Sequence, residues 1–175
     1  MWLMLALVLW AANAAAPQIT ALFFITHDCP IANSYAPKIR SLCDEYAKRG
    51  VSCKLVYADP SLNDQQMRKH QQDYALSTIP AVVDREHQLI RTYQPKVTPE
   101  AVVVREGKVV YRGRIDDRWV GWGQKRQQAS REDLRDALIR ALSGGTGYTE
   151  TKAVGCWIAD LANTKARSAT PPATR

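Results

Sequence analysis

The sequence predicts an α/β domain: a mixed central β-sheet flanked by helices. Three observations carry this. The chain opens with two short apolar runs separated by a stretch of helical periodicity. A second pair of apolar runs is joined by Glu106-Gly107, a hairpin signal. A closing amphipathic segment then ends at Gly144-Gly145. The order βαβα followed by ββα pairs parallel strands through crossover helices with an antiparallel hairpin.

The elements follow in order. Residues 19–25 are short, apolar and partly β-branched, as a buried strand is. Residues 31–49 place Tyr35, Ile39, Leu42 and Tyr46 on one helical face, and Gly50 ends the helix. In residues 51–57, Val51, Cys53, Leu55 and Tyr57 alternate with Ser52 and Lys54, which predicts a half-buried strand. A polar helix is expected over 62–74, with Ser61 and Asp64 as a capping pair. Residues 81–83 form a short strand after Ile79-Pro80, and residues 101–104 and 108–111 form the hairpin. Ser130 is the expected N-cap of a helix over 131–142.

The chain has 175 residues, with 24 Lys and Arg against 17 Asp and Glu, for a net charge of +7. The basic residues are scattered among acids, with no Lys/Arg run and no nucleic-acid motif. This argues for a solvated basic surface and against a nucleic-acid interface. Such a surface suits peripheral contact with an anionic membrane or an acidic partner. Residues 1–10 are wholly apolar and run into Ala11-Ala12-Asn13-Ala14-Ala15-Ala16, which predicts a signal peptide over residues 1–16. Export to the periplasm or beyond follows, where cysteines pair. The expected organisation is a domain over 17–143 and an extension over 144–175 that carries Cys156 and ends in disorder from residue 163.

Cys29 is the chemical centre. An apolar strand ends, Cys29-Pro30 follows, and a helix begins. A thiol at a helix N-terminus faces unpaired N–H groups and the positive end of the dipole, so its thiolate, the reactive form, is favoured. His27, two residues earlier, falls on the same side of an extended segment; its imidazolium would favour the thiolate and Asp28 would oppose it.

Residues 18–143 resemble the thioredoxin-fold redoxins, a group that includes thioredoxin-like oxidoreductases and the peroxiredoxins (alkyl hydroperoxide reductase/thiol-specific antioxidant). The resemblance rests on Cys29-Pro30, on Ile79-Pro80-Ala81-Val82-Val83-Asp84, and on Thr98-Pro99-Glu100-Ala101-Val102-Val103-Val104 with Gly107-Lys108-Val109-Val110-Tyr111-Arg112-Gly113. It implies a thioredoxin-like fold, a cis Thr98-Pro99 bond beside Cys29, and a substrate-binding wall made of Thr98, Pro99 and Pro30. Two departures matter. Ala32 stands where thioredoxins carry the second cysteine of C-x-x-C, so a local dithiol cycle is excluded. Thr26 and Cys29 match the end of the peroxiredoxin P-x-x-x-T-x-x-C motif, but Leu22 replaces its proline and Pro99 stands where the peroxidatic arginine is expected. Arg112, Arg114 or Arg118 would have to substitute.

Catalysis is therefore assigned to Cys29, Cys156 and Thr26. Cys156 lies in Val154-Gly155-Cys156-Trp157-Ile158, an apolar patch on the extension, and either resolves Cys29 or packs beside Trp157. Cys43 and Cys53 are read as small buried hydrophobes, with a disulfide between them as the alternative. The expected reaction is thiol–disulfide exchange with protein thiols or disulfides, with Cys29 as nucleophile and a mixed disulfide on Cys29, driven by an external thiol reductant and using no cofactor. Antioxidant peroxide reduction is the second reading. The third is a non-catalytic copper- or thiol-binding module using Cys29, Cys156 and a histidine, with His87 as distal ligand; no metal is assigned. The run from Tyr111 to Trp119, dense in charge and aromatics, reads as an ion-pair network, with a substrate or partner rim as the alternative; Trp119 and Trp122 are either a docking patch or core.

Overall fold

The computed structural model describes residues 18–158. The elements are β1 (Ile19–Ile25), α1 (Pro30–Ala47), β2 (Val51–Tyr57), α2 (Asp64–Asp73), β3 (Ala81–Val83), α3 (Gln88–Tyr93), β4 (Val97–Thr98), β5 (Glu100–Arg105), β6 (Lys108–Gly113), β7 (Trp119–Gly121), β8 (Gln124–Lys125), α4 (Asp133–Leu142), β9 (Thr149–Glu150) and β10 (Cys156–Trp157). The main sheet has six strands in the order β3-β2-β1-β5-β6-β9. β1 runs parallel to β2, from Ile19 opposite Val51 to Ile25 opposite Tyr57, and antiparallel to β5. The signal-peptide reading over 1–16 and the disorder expected from residue 163 lie outside the described residues.

β1 is apolar on both faces because both faces are covered. Ala21, Phe23 and Ile25 join α1 and α4 residues such as Tyr35, Ile39, Leu42, Leu134 and Leu138 in the larger core. Leu22 and Phe24 pack on the other face with Val56 and Val102, against Leu89, Ile90 and Tyr93. The strand thus ends in a rigid frame, and that rigidity is what aims the Cys29 turn.

Several expectations are corrected. α2 is capped by Asn63, not Ser61: Asn63 accepts from Gln66 N while Gln66 Oε1 accepts from Asn63 N. Ser61 instead binds the Asp59 carboxylate through its own N–H and hydroxyl. α4 begins at Asp133, with Glu132 at the cap position and no side-chain cap. Ser130 donates to Asp117 instead, because Asp117 collects Ser130, Arg131 and Arg126 around one carboxylate. Those donors hold Asp117 well below the usual carboxylate range.

The extension is ordered where it meets the domain. β9 adds a sixth strand, parallel to β6. Gly113, at φ +147, permits this, since a Cβ there would strike Thr151. The chain then crosses the sheet end, and β10 pairs antiparallel with β4.

Candidate active site

Cys29 sits where β1 gives way to α1. It is the N-cap residue of α1, with Pro30 at the first helical position. Its sulfur accepts the Ala32 N–H at 3.4 Å and donates to the Thr98 carbonyl at 3.0 Å. The Thr98-Pro99 bond is cis. Thr26 is at the same place, with its hydroxyl 3.2 Å from that of Thr98. Thr26, Cys29, Pro30, Thr98 and Pro99 are thus brought together as the sequence anticipates. Cys29 is 1 % exposed.

Cys156 completes the arrangement. β10 places it directly opposite Thr98, the residue whose carbonyl holds the Cys29 thiol. Ile158 N–H donates to the Lys96 carbonyl and extends the pairing by one bond. Gly155 is required here, because a Cβ at that position would lie 2.6 Å from the Thr98 carbonyl carbon and closer still to its oxygen. Burial pushes the Cys156 thiol up to about 12, and the neighbouring Cys29 adds to the rise. Cys29 and Cys156 are the free cysteines among the described residues. Cys43 and Cys53 form a disulfide between α1 and β2, with Cα atoms 5.8 Å apart, well inside the range such a bond needs.

Two supports of the site carried little sequence signal. Glu100 follows Pro99, is buried, and accepts the Lys96 and Val97 N–H groups through one oxygen, which ties down β4. Burial raises its carboxyl above the ordinary value. His70, read as a residue of a polar helix, is buried at 7 % exposure. It bonds Tyr57 Oη through Nδ1 at 2.7 Å and Asn33 Oδ1 through Nε2 at 2.9 Å, and Asn33 Nδ2 donates to the His27 carbonyl. This chain joins α2 to the turn that carries Cys29. Burial lowers the His70 pKa, and His27 nearby lowers it further.

The metal-ligand reading does not assemble. His87 is buried with Nε2 3.0 Å from the Ala58 carbonyl, so it is spent on backbone. His27 Nδ1 lies 3.8 Å from Asp59. Among the described residues, no group of three or more His, Cys, Asp and Glu side chains is placed to hold a metal ion.

The three candidate arginines are engaged elsewhere. Arg112 binds Glu150 and the carbonyls of Tyr93 and Gln94. Arg114 pairs with Asp133, and Arg118 lies over the Tyr35 ring. The run from Tyr111 to Trp119 is the ion-pair network expected of it: Asp116 takes Lys38 at 2.8 Å and the Tyr35 hydroxyl at 2.5 Å. Trp119 is half-buried and donates to Ser34, whereas Trp122 is exposed.

The model of the AhpC/TSA family matches residues 10–112, more than half of the chain. The chain belongs to that family. No curated protein sequence matches this redoxin. A hypothetical protein from Sinorhizobium meliloti is similar at a TM-score of 0.68 and 22 % identity, covering 82 % of this chain and 80 % of that one. A putative thiol:disulfide interchange protein DsbE from Chlorobium tepidum is similar at 0.56 and 19 %, covering 73 % and 82 %. A putative thioredoxin from Neisseria meningitidis is similar at 0.55 and 19 %, covering 72 % and 75 %. The redoxin has the thioredoxin-like fold. No helix among the described residues is long and apolar enough to cross a membrane.

Proposed function

We propose that this redoxin is an exported thiol–disulfide oxidoreductase whose redox couple is Cys29 and Cys156. One observation carries the reading: β10 sets Cys156 opposite Thr98, and the Thr98 carbonyl holds the Cys29 thiol. The missing C-x-x-C cysteine is thereby replaced from the far end of the chain. Reduction of a partner disulfide consumes both thiols: two electrons and two protons pass to the partner, and a Cys29–Cys156 bond forms. Cys29 is the nucleophile that closes this bond, with negative charge on its sulfur met by the Ala32 N–H. Thr26 holds Thr98 through the hydroxyl pair, and Thr98, Pro99 and Pro30 wall the site. An external thiol reductant returns the couple to the dithiol. Export rests on the signal-like residues 1–16 and agrees with the Cys43–Cys53 disulfide, a bond typical of oxidising compartments.

Peroxide reduction is disfavoured by the arginines, each of which is tied to another group. The test is turnover of a protein disulfide and of hydrogen peroxide by wild type, Cys29→Ser and Cys156→Ser. The proposal expects disulfide turnover lost in both variants and slow peroxide consumption throughout. Disulfide turnover unchanged in Cys156→Ser, or fast peroxide consumption lost only in Cys29→Ser, overturns it.

A further inference from the structure

Cys29 rides on a short turn, Thr26-His27-Asp28, between β1 and α1. The turn is pinned at its start, where Ile25 pairs with Tyr57 and its carbonyl accepts the Ala58 N–H at 2.8 Å. Within the turn the backbone bond is long: Cys29 N–H reaches the Thr26 carbonyl at 3.4 Å. Asn33 supplies a firmer hold. It lies one helical turn after Cys29, and a helical side chain leans back toward the N-terminus. Its Nδ2 donates to the His27 carbonyl at 2.9 Å, while its own N–H donates to the Cys29 carbonyl at 2.9 Å.

Chemistry fixes the direction of every bond behind Asn33. With Nδ2 on the His27 carbonyl, Asn33 presents Oδ1, which only accepts, so His70 Nε2 carries the proton shared at 2.9 Å. A neutral imidazole with its proton on Nε2 accepts at Nδ1, so the Tyr57 hydroxyl donates there at 2.7 Å. Tyr57 is fully buried, and burial pushes its pKa up, so the phenol keeps that proton. Burial lowers the His70 pKa, which keeps the imidazole neutral near pH 7. The ring also packs on Tyr57, edge-on at 5.5 Å, and on Tyr74 at 4.7 Å.

We propose that His70 and Asn33 are positioning residues of the redox reaction: the one-way relay from Tyr57 through His70 and Asn33 holds the His27 carbonyl and so places Cys29 for bonding to Cys156. The inference rests on the Cys29–Cys156 couple proposed above.

Closing that bond needs the Cys29 sulfur in one place. The contacts of the sulfur are to backbone, the Ala32 N–H and the Thr98 carbonyl, and Cys156 lies opposite Thr98. A turn that samples other conformations presents the sulfur only part of the time, and the apparent constant for closure falls by that fraction. The relay orders the turn beforehand by tying it to β2 through Tyr57 and to α2 through His70. Position 33 needs both ends of an amide. Aspartate would accept from His70 but turn an oxygen on the His27 carbonyl, and alanine would do neither.

The experiment equilibrates the full-length redoxin in glutathione buffers of graded ratio and maps the alkylated cysteines by mass. Urea unfolding of each variant is recorded alongside. The variants are Asn33→Asp, Asn33→Ala, His70→Leu, His70→Gln and the double variant His70→Leu/Asn33→Ala. The proposal expects the Cys29–Cys156 equilibrium constant to fall roughly five- to tenfold in Asn33→Asp, Asn33→Ala and His70→Leu, the size of one lost hydrogen bond. His70→Gln recovers most of what His70→Leu loses, because its amide both donates to Asn33 and accepts from Tyr57. The double variant falls no further than either single one, since both act through one chain. A merely structural role lowers the unfolding midpoint and leaves the constant alone; that result overturns the proposal, as does a double variant that multiplies the two losses. If His70→Leu fails to fold, the Asn33 variants decide: a constant unchanged in Asn33→Asp and Asn33→Ala overturns the proposal. A wild type that forms no Cys29–Cys156 bond is a different result: it removes the couple itself, and the positioning role with it.

Discussion

Gly155→Ala tests how the couple is assembled. The new Cβ would lie 2.6 Å from the Thr98 carbonyl carbon, inside the 3.0 Å floor for real contacts, with the Thr98 oxygen nearer still and Pro99 N tight at 3.2 Å. All of these atoms are backbone, so β10 itself must retreat. It is held by two residue pairs and the Ile158–Lys96 bond, each net worth about 1 kcal/mol. Overpacking of this kind costs roughly 1–3 kcal/mol. A loss of that size lowers the equilibrium constant for closing the Cys29–Cys156 bond by roughly 5- to 150-fold, at about 1.4 kcal/mol per tenfold. The assay equilibrates wild type and Gly155→Ala in glutathione buffers of graded ratio and counts the alkylated cysteines by mass. An equilibrium constant unchanged in Gly155→Ala, with the domain folded, refutes the argument that this glycine brings the two sulfurs together.

Two further predictions concern the frame. His70 is buried with its pKa lowered, so the unfolded chain binds the proton more readily. Its contribution to stability is complete above the unfolded value near 6.5 and is lost as pH falls below it. Thermal melts between pH 7 and pH 5 should therefore show a decline that is shallower in His70→Gln; equal slopes refute the assignment. The Cys43–Cys53 bond closes a loop with a sequence separation of 10. By loop entropy, replacing both with Ala should cost roughly 2–3 kcal/mol, seen in urea unfolding, and no loss would show that the bond does not constrain the unfolded chain.

Most of the fold was legible because the apolar periodicities are strong and local. β1 and α1 emerge from the spacing of Ile19 to Ile25 and of Tyr35, Ile39, Leu42 and Tyr46, and both faces of the sheet follow from them. Caps were less legible: Ser61, Asn63 and Ser130 are chemically interchangeable as N-caps, and the choice among them depends on Asp59 and Asp117, partners that only the fold supplies. The junction of Thr26, Cys29, Thr98 and Pro99 was readable from the motifs. The roles of His70 and Glu100 were not, since a histidine among Gln and Lys and a glutamate at a strand start look solvated until tertiary contacts bury them. Gly155-Cys156 was suggestive in sequence, but its docking against Thr98 depends on a chain crossing that no local pattern encodes.

The central claim is that Cys29 and Cys156 are one redox couple. Its most direct test is peptide mapping of the full chain after mild oxidation, without prior reduction, in wild type and in Cys156→Ser. The account predicts two bonds in the wild type, Cys43–Cys53 and Cys29–Cys156, and in Cys156→Ser only the first, with Cys29 free or joined to a small thiol. Cys29 found free in the oxidised wild type, with Cys156 alkylated, would contradict it.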